Sequence, residues 1–200
     1  MNQVTICIAT YGDDSYWRPL REVAAKSAQS QSVPCDLVFS HIPDSDARNC
    51  GPSRNIAAEK ATTEWLLFLD ADDTIDRNCV EKLLAMPGDI RVPAISCQRV
   101  DGTWTEHKKL SGRFAWVIGS LVRRSDFNRL GGFRPRVWGE DSEFWLRCQI
   151  SGLSFSHSDD AIYRIGYRPD SRKTYKYRDA LWSKMQTEAM EEFKGCQANP

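Results

Sequence analysis

The run Trp65-Leu66-Leu67-Phe68-Leu69, closed at once by Asp70-Ala71-Asp72-Asp73, constrains this chain more than any other stretch. A continuous apolar run without polar alternation fits a strand buried on both faces. Such a strand needs sheet neighbours beside it and helices above and below. The chain supplies both. Val4-Thr5-Ile6-Cys7-Ile8-Ala9-Thr10 is a second β-branched run, and Asp36 to Ile42 reads as another strand. From Tyr16 to about Ser30, Leu20, Val23, Ala24 and Ala28 recur at helical spacing before Pro34 breaks the chain. After the polar stretch 43–51, Pro52 stands where a first helical position tolerates it, and Ser53 to Ala61 reads as a short helix. Asp76 is placed to cap a third helix, which runs to about Met86 and ends at Pro87-Gly88. The order β-α-β-α-β-α predicts an α/β fold, a parallel sheet with helices on both faces. Ligands in such sheets bind outside the carboxyl ends of the strands, and the acidic cluster stands at one of them.

The second half is less regular. Arg91 to Val100 and Gly119 to Arg123 read as strands, and Ser125 as the N-cap of a short helix ending at Gly131-Gly132. Glu140 to about Ile150 reads as a helix with Phe144, Trp145 and Cys148 on one side. Phe155 to Tyr167 is strand-like in part, and Arg178 to Phe193 reads as an amphipathic terminal helix. The expected organisation is one domain over 1–175, with the helix and tail of 176–200 packed on it. A chain of 200 residues buries about 70% of the surface its unfolded form exposes, so it needs no disulfide or metal to fold.

Charge and cysteine content exclude several roles. Lys plus Arg and Asp plus Glu both total 27, so bulk electrostatics give no support to nucleic-acid binding. Mean hydropathy is -0.51, and no apolar run approaches the length of a membrane span. Residues 1–14 lack a cationic leader and read as an immediate strand rather than a signal peptide. Seven cysteines, odd in number and without a CxxC pair, read as reduced structural thiols, and the expected location is the cytoplasm. Zinc is not expected from scattered cysteines and three histidines.

Asp70, Asp72 and Asp73 repel one another. Either they splay into water as an acidic turn capping the next helix, or a divalent cation holds some of them. Hard oxygen ligands suit magnesium or manganese bound to phosphate. Leu69-Asp70-Ala71-Asp72-Asp73-Thr74-Ile75 also matches the opening motif of haloacid-dehalogenase-like phosphohydrolases, with Asp70 as nucleophile and Asp72 as acid/base. That motif normally closes the first strand of its sheet, whereas here two strand–helix units precede it. No later aspartate pair ends an apolar strand either, since Asp159-Asp160 follows the polar run 154–158.

Several segments together resemble a family 2 glycosyltransferase of GT-A fold, over roughly residues 4 to 171. They are Thr10-Tyr11 at the end of the first strand, Ser53-Arg54-Asn55-Ile56-Ala57, and Glu64 to Asp73. Further along come Ser120 to Arg124 with Leu130-Gly131-Gly132-Phe133, and Trp138-Gly139-Glu140-Asp141 to Arg147. The resemblance implies a mixed, mostly parallel sheet and transfer of a sugar from a nucleotide-diphosphate donor, UDP-linked, to an acceptor hydroxyl with inversion. A non-catalytic nucleotide-sugar-binding relative is the other reading, and intact Asp70, Asp72 and Asp141 argue against it.

By that resemblance Asp141 is the general base, with Glu140 as runner-up, and both sit at a helix start whose dipole favours the ionised form. Asp72 binds Mn2+ or Mg2+, and Asp70 assists it or contacts the ribose. Tyr11 stacks on the base beside Thr10, and Arg54 contacts it. Two positions depart from the family. His41 stands about where an aspartate usually ends the second strand, which leaves the donor base less secure. Arg168, followed by Arg172 and Lys173, takes the place of a late histidine and could hold the diphosphate. Among seven tryptophans, Trp138 is the expected wall of the acceptor pocket, with Trp116 a weaker candidate. The acceptor itself is open: a glycan, a protein or a small molecule. A chain near the minimum for this fold leaves room for a homodimer or another partner to contribute acceptor contacts.

Overall fold

A computed structural model describes residues 2–109 and 117–167. The strands are β1 (Val4–Tyr11), β2 (Asp36–Ile42), β3 (Trp65–Asp70), β4 (Thr74–Ile75), β5 (Ile90–Cys97), β6 (Leu121–Arg123) and β7 (Phe155–Ile165). The helices are α1 (Asp14–Gln29), α2 (Cys50–Glu59), α3 (Cys79–Leu84), α4 (Arg124–Arg129) and α5 (Glu140–Ile150). All strands join one sheet, in the order β2-β1-β3-β6-β5-β7-β4. β1 pairs in parallel with β2 and β3, and β5 in parallel with β7. β6 runs antiparallel between β3 and β5, and β4 runs antiparallel to β7. The sheet is therefore mixed, with most paired residues in parallel ladders.

The expected continuous burial is there. Trp65 to Leu69 are all buried, as are Val4 to Ile8. A strand closed off on both faces needs cover on both, and α1 and α2 each pack on β1. Phe68 starts an aromatic cluster below the site. Its ring lies 5.0 Å from Phe127 and 4.8 Å from Phe133, and Phe144 lies 5.1 Å from Phe127. At the other end of β3, Trp65 is sandwiched between Arg91 at 4.1 Å and Arg123 at 4.4 Å from its ring centre.

The structure corrects several boundaries. α2 begins at Cys50 after a 3-10 turn at Ala47–Asn49, so Pro52 is its third residue rather than its first. A proline fits there because the first turn's N–H groups lack helical acceptors anyway. Asp76 does not start α3. Asn78 holds the cap position, and the Asp76 carboxylate pairs with Arg164 instead. The short β4 between the acidic cluster and α3 carries no pattern that two residues could display. α4 begins at Arg124, which puts Ser125 inside it rather than at its cap. β5 stops at Cys97, and its register with β7 shifts between Val92 and Ala94, across Pro93, which has no N–H to donate. The terminal helix of 178–193, the 176–200 unit, Trp116 and the basic group Arg168, Arg172 and Lys173 lie outside the described residues.

The six described cysteines are free thiols, as expected. No helix among the described residues is long and apolar enough to cross a membrane. If the aromatic cluster anchors the site end of the sheet, Phe68→Ala removes its centre. Urea unfolding should then show a loss of about 3–5 kcal/mol.

Candidate active site

The carboxyl ends of β1, β2 and β3 open at one end of the sheet. A hydroxyl network closes the floor beside them. Ser53 Oγ donates to Thr10 O at 2.8 Å, and Ser40 Oγ to Ser53 O at 2.5 Å. Thr10 Oγ1 shares a 3.0 Å hydrogen bond with His41 Nδ1, so the two adjacent strand ends are linked by side chains. Tyr11 is half-buried. Its carbonyl accepts from Trp17 Nε1 at 2.7 Å, and the two rings lie 6.4 Å apart.

Arg54 binds this end together. It enters from α2 with only 6% of its surface exposed. Its Nη2 donates to Asp70 Oδ1 at 2.6 Å, and its Nη1 to Glu140 Oε1. The guanidinium thus spans the last residue of β3 and the first residue of α5. Its pKa is driven further up by the surrounding carboxylates, against its own burial. A buried arginine with two carboxylate partners forms an ionic bridge between them.

The acidic cluster divides its work. Ligand oxygens of Asp70, Asp72 and Asp73 lie within 4.8 Å of one another. Asp73, however, is buried, and both its oxygens are taken. It accepts from Tyr163 Oη at 2.6 Å and from Gly166 N–H at 2.8 Å. Burial, then the charges of Asp72 and Asp70, push its carboxyl well above the usual range. Asp70 gives Oδ1 to Arg54. Asp72 stands between these two, within reach of both. A donor set of hard carboxylate oxygens in a cluster this tight fits Mn2+ or Mg2+.

The start of α5 is equally constrained. Asn55, next to Arg54, exchanges two hydrogen bonds with the backbone of Phe133. Its Nδ2 donates to Phe133 O at 2.8 Å, and Phe133 N–H donates to its Oδ1 at 2.9 Å. Arg147 reaches back from α5 to the carbonyls of Leu130 and Gly132 while pairing with Glu143, which is 1% exposed. These contacts give the quoted motif residues Asn55, Glu143 and Arg147 structural roles that their spacing did not reveal. Trp138 is half-buried on the loop they hold.

Asp141 follows Glu140 and is half-buried. Burial and then the neighbouring Glu140 charge raise its carboxyl to about 7, while Arg54 pulls the other way. The helix start was expected to favour the ionised form, but burial and like charge outweigh it. Tyr163 is the site residue that sequence reasoning missed. It stands 90 residues from Asp73, and no local pattern couples the two.

A family model described as glycosyl transferase family 2 matches residues 13–156. An uncharacterized glycosyltransferase of Haemophilus influenzae is 27% identical over 173 residues, covering 73% of this chain and 68% of that protein. Among solved structures, S. aureus TarS 1-349 in complex with UDP superposes with a TM-score of 0.66 at 16% identity. That match covers 84% of this chain and 61% of that one. The mannosyltransferase PcManGT from Pyrobaculum calidifontis, in complex with GDP-Man and Mn2+, gives 0.64 at 19% identity, covering 94% and 64%. This chain therefore spans less than two thirds of either solved chain, and at these identities the likeness is one of fold.

Two outcomes follow from the charges. Arg54→Met leaves the Asp70 and Glu140 carboxylates without their cation, and denaturant unfolding should show a loss of about 3–5 kcal/mol. Asp141 is raised from an ordinary 3.8 to about 7 on folding, so the folded chain binds the extra proton between those values. The contribution of Asp141 to stability therefore falls as pH rises from 4 to 7 and levels off above it. Asp141→Asn should raise Tm at pH 8 and change it little at pH 4, read by differential scanning fluorimetry.

Proposed function

The chain belongs to glycosyl transferase family 2, and we propose that it moves a sugar from a UDP-linked donor to an acceptor hydroxyl with inversion at the anomeric carbon. The observation that carries this reading is the Asp70–Arg54–Glu140 bridge. It joins the acidic turn, where a donor diphosphate would sit, to the helix start that presents Asp141.

Asp141 is the general base. A carboxyl raised to about 7 is substantially deprotonated at neutral pH, and it is a stronger base than an ordinary aspartate. It takes the proton of the acceptor hydroxyl as that oxygen bonds to the anomeric carbon. The bond from sugar to diphosphate breaks on the opposite face, and the diphosphate leaves with the electron pair. Glu140 is held by Arg54 and acts through its charge, which strengthens Asp141, rather than as the base itself.

Asp72, with Asp70, would hold Mn2+ or Mg2+. An ion bound there supplies electrostatic stabilisation to the departing diphosphate. PcManGT, whose structure holds Mn2+, supports that choice. Thr10, Tyr11 and His41 form the nucleoside wall, with Tyr11 stacking on the base. TarS, crystallised with UDP and with UDP-GlcNAc, supports a uridine donor, whereas GDP-Man in PcManGT marks the alternative that His41 leaves open. Arg168 contacts the diphosphate in this reading, and Trp138 lines the acceptor side. The phosphohydrolase reading is set aside, because the family is a different one.

The test is turnover of a panel of nucleotide sugars with Mn2+. One UDP-sugar should be hydrolysed slowly, and Asp141→Asn should lower that rate by about 10²–10⁴-fold. In the wild type, kcat should rise between pH 6 and 8 as Asp141 loses its proton. No turnover of any nucleotide sugar, or an unaffected Asp141→Asn variant, would sink the proposal.

A further inference from the structure

We propose that Tyr163 is a positioning residue for the acidic turn, holding Asp70 and Asp72 in the arrangement that receives the metal ion. The inference rests on Asp72 with Asp70 as the metal-holding pair put forward above.

The phenol arrives from β7, which meets the turn only through folding. Its oxygen donates to Asp73 Oδ2 at 2.6 Å and accepts from Asp70 N–H at 3.3 Å. One atom therefore grips the turn on both sides of Asp72. The remaining oxygen of Asp73 accepts from Gly166 N–H at 2.8 Å, just past the end of β7. Tyr163 is itself 1% exposed, so the strut has little room to swing.

Two glycines make this approach possible. Gly119 has φ +78°, and a Cβ there would overlap the Tyr163 ring. Gly166 passes so close to Asp72 that a Cβ would overlap the Asp72 carbonyl oxygen. The fold thus clears space on both sides of the turn for one buried phenol and one backbone amide.

The chemistry of the strut matters. Unrestrained, the carboxylates of Asp70, Asp72 and Asp73 repel and turn toward water. Arg54 already holds one oxygen of Asp70, and a further lysine or arginine on Asp73 would compete with a metal cation for the negative charge that remains. A neutral phenol and a backbone N–H restrain the turn without neutralising it. Asp73 is in this view the anchor and not a ligand. Groups that orient metal ligands from outside typically change metal affinity by about 10–100-fold when removed.

Tyr163→Phe tests this, because it keeps the ring and deletes only the hydroxyl. Mn2+ affinity is measured by electron paramagnetic resonance of the free ion, with UDP present. Tm is measured in EDTA. The expected result is about 10–100-fold weaker Mn2+ binding by Tyr163→Phe. Phe127→Leu, which loosens the aromatic cluster, is the control and should lower Tm yet bind Mn2+ as the wild type does. Wild-type affinity in Tyr163→Phe overturns the proposal alone. An equal loss in Phe127→Leu also overturns it, because general loosening would then explain the effect. Failure of the wild-type protein to bind Mn2+ at all overturns the metal reading, and this proposal with it.

Discussion

Like charge crowded into one place is what the rest of this structure has to accommodate. Asp70, Asp72 and Asp73 end one strand, and Glu140 and Asp141 begin one helix. Arg54 reaches both groups, and it does so from the interior. A buried cation between two carboxylates is a directional constraint as much as an energetic one, since a guanidinium offers its donors in a fixed plane. Strand end, helix start and α2 are therefore set in one mutual arrangement. What the bridge leaves uncompensated is equally informative. Asp141 receives too little of the cation to offset burial beside Glu140, and that imbalance is what makes it basic.

A second set of contacts keeps the first in register. Arg54 and Asn55 are neighbours on α2, and they address different partners. One takes the carboxylates; the other pairs with the backbone of Phe133 as a strand neighbour would. Arg147 and the buried Glu143 hold the same loop from the far side. Phe133 then drops into the aromatic cluster with Phe68, Phe127 and Phe144. The polar clamp and the apolar packing thus meet at Phe133, whose backbone pairs with Asn55 and whose ring joins the cluster.

Much of this was legible in the chain itself, where a feature is local. The continuous apolar runs announced β1 and β3. The acidic cluster and the segment from Glu140 marked the site, and α5 spans the range its pattern suggests. What escaped notice is what depends on distant partners. Asp76 looked like a cap because it precedes a helical run, but Arg164 claims it from β7. Asp73 looked like one more member of the acidic cluster, and it is Tyr163 and Gly166, both distant in sequence, that take its two oxygens. Nothing in the spacing around Arg54 announced that it would be buried between Asp70 and Glu140, the second of which lies 86 residues away. Side-chain spacing reports periodicity along one element; it carries no record of which element will lie opposite.

The Asn55 clamp sets a length. Phe133 is fixed on one side and Glu140 on the other, so 134–139 is a short tether anchored at both ends. A segment of six residues pinned at both ends has little spare length. It bears Trp138 and the exposed Val137. On the proposed reading, where Trp138 lines the acceptor side, the choice of acceptor would be written in which side chains stand on this tether. Respecifying such a wall would then be a matter of substitution within a fixed span, because a longer span would no longer tie Trp138 to the start of α5.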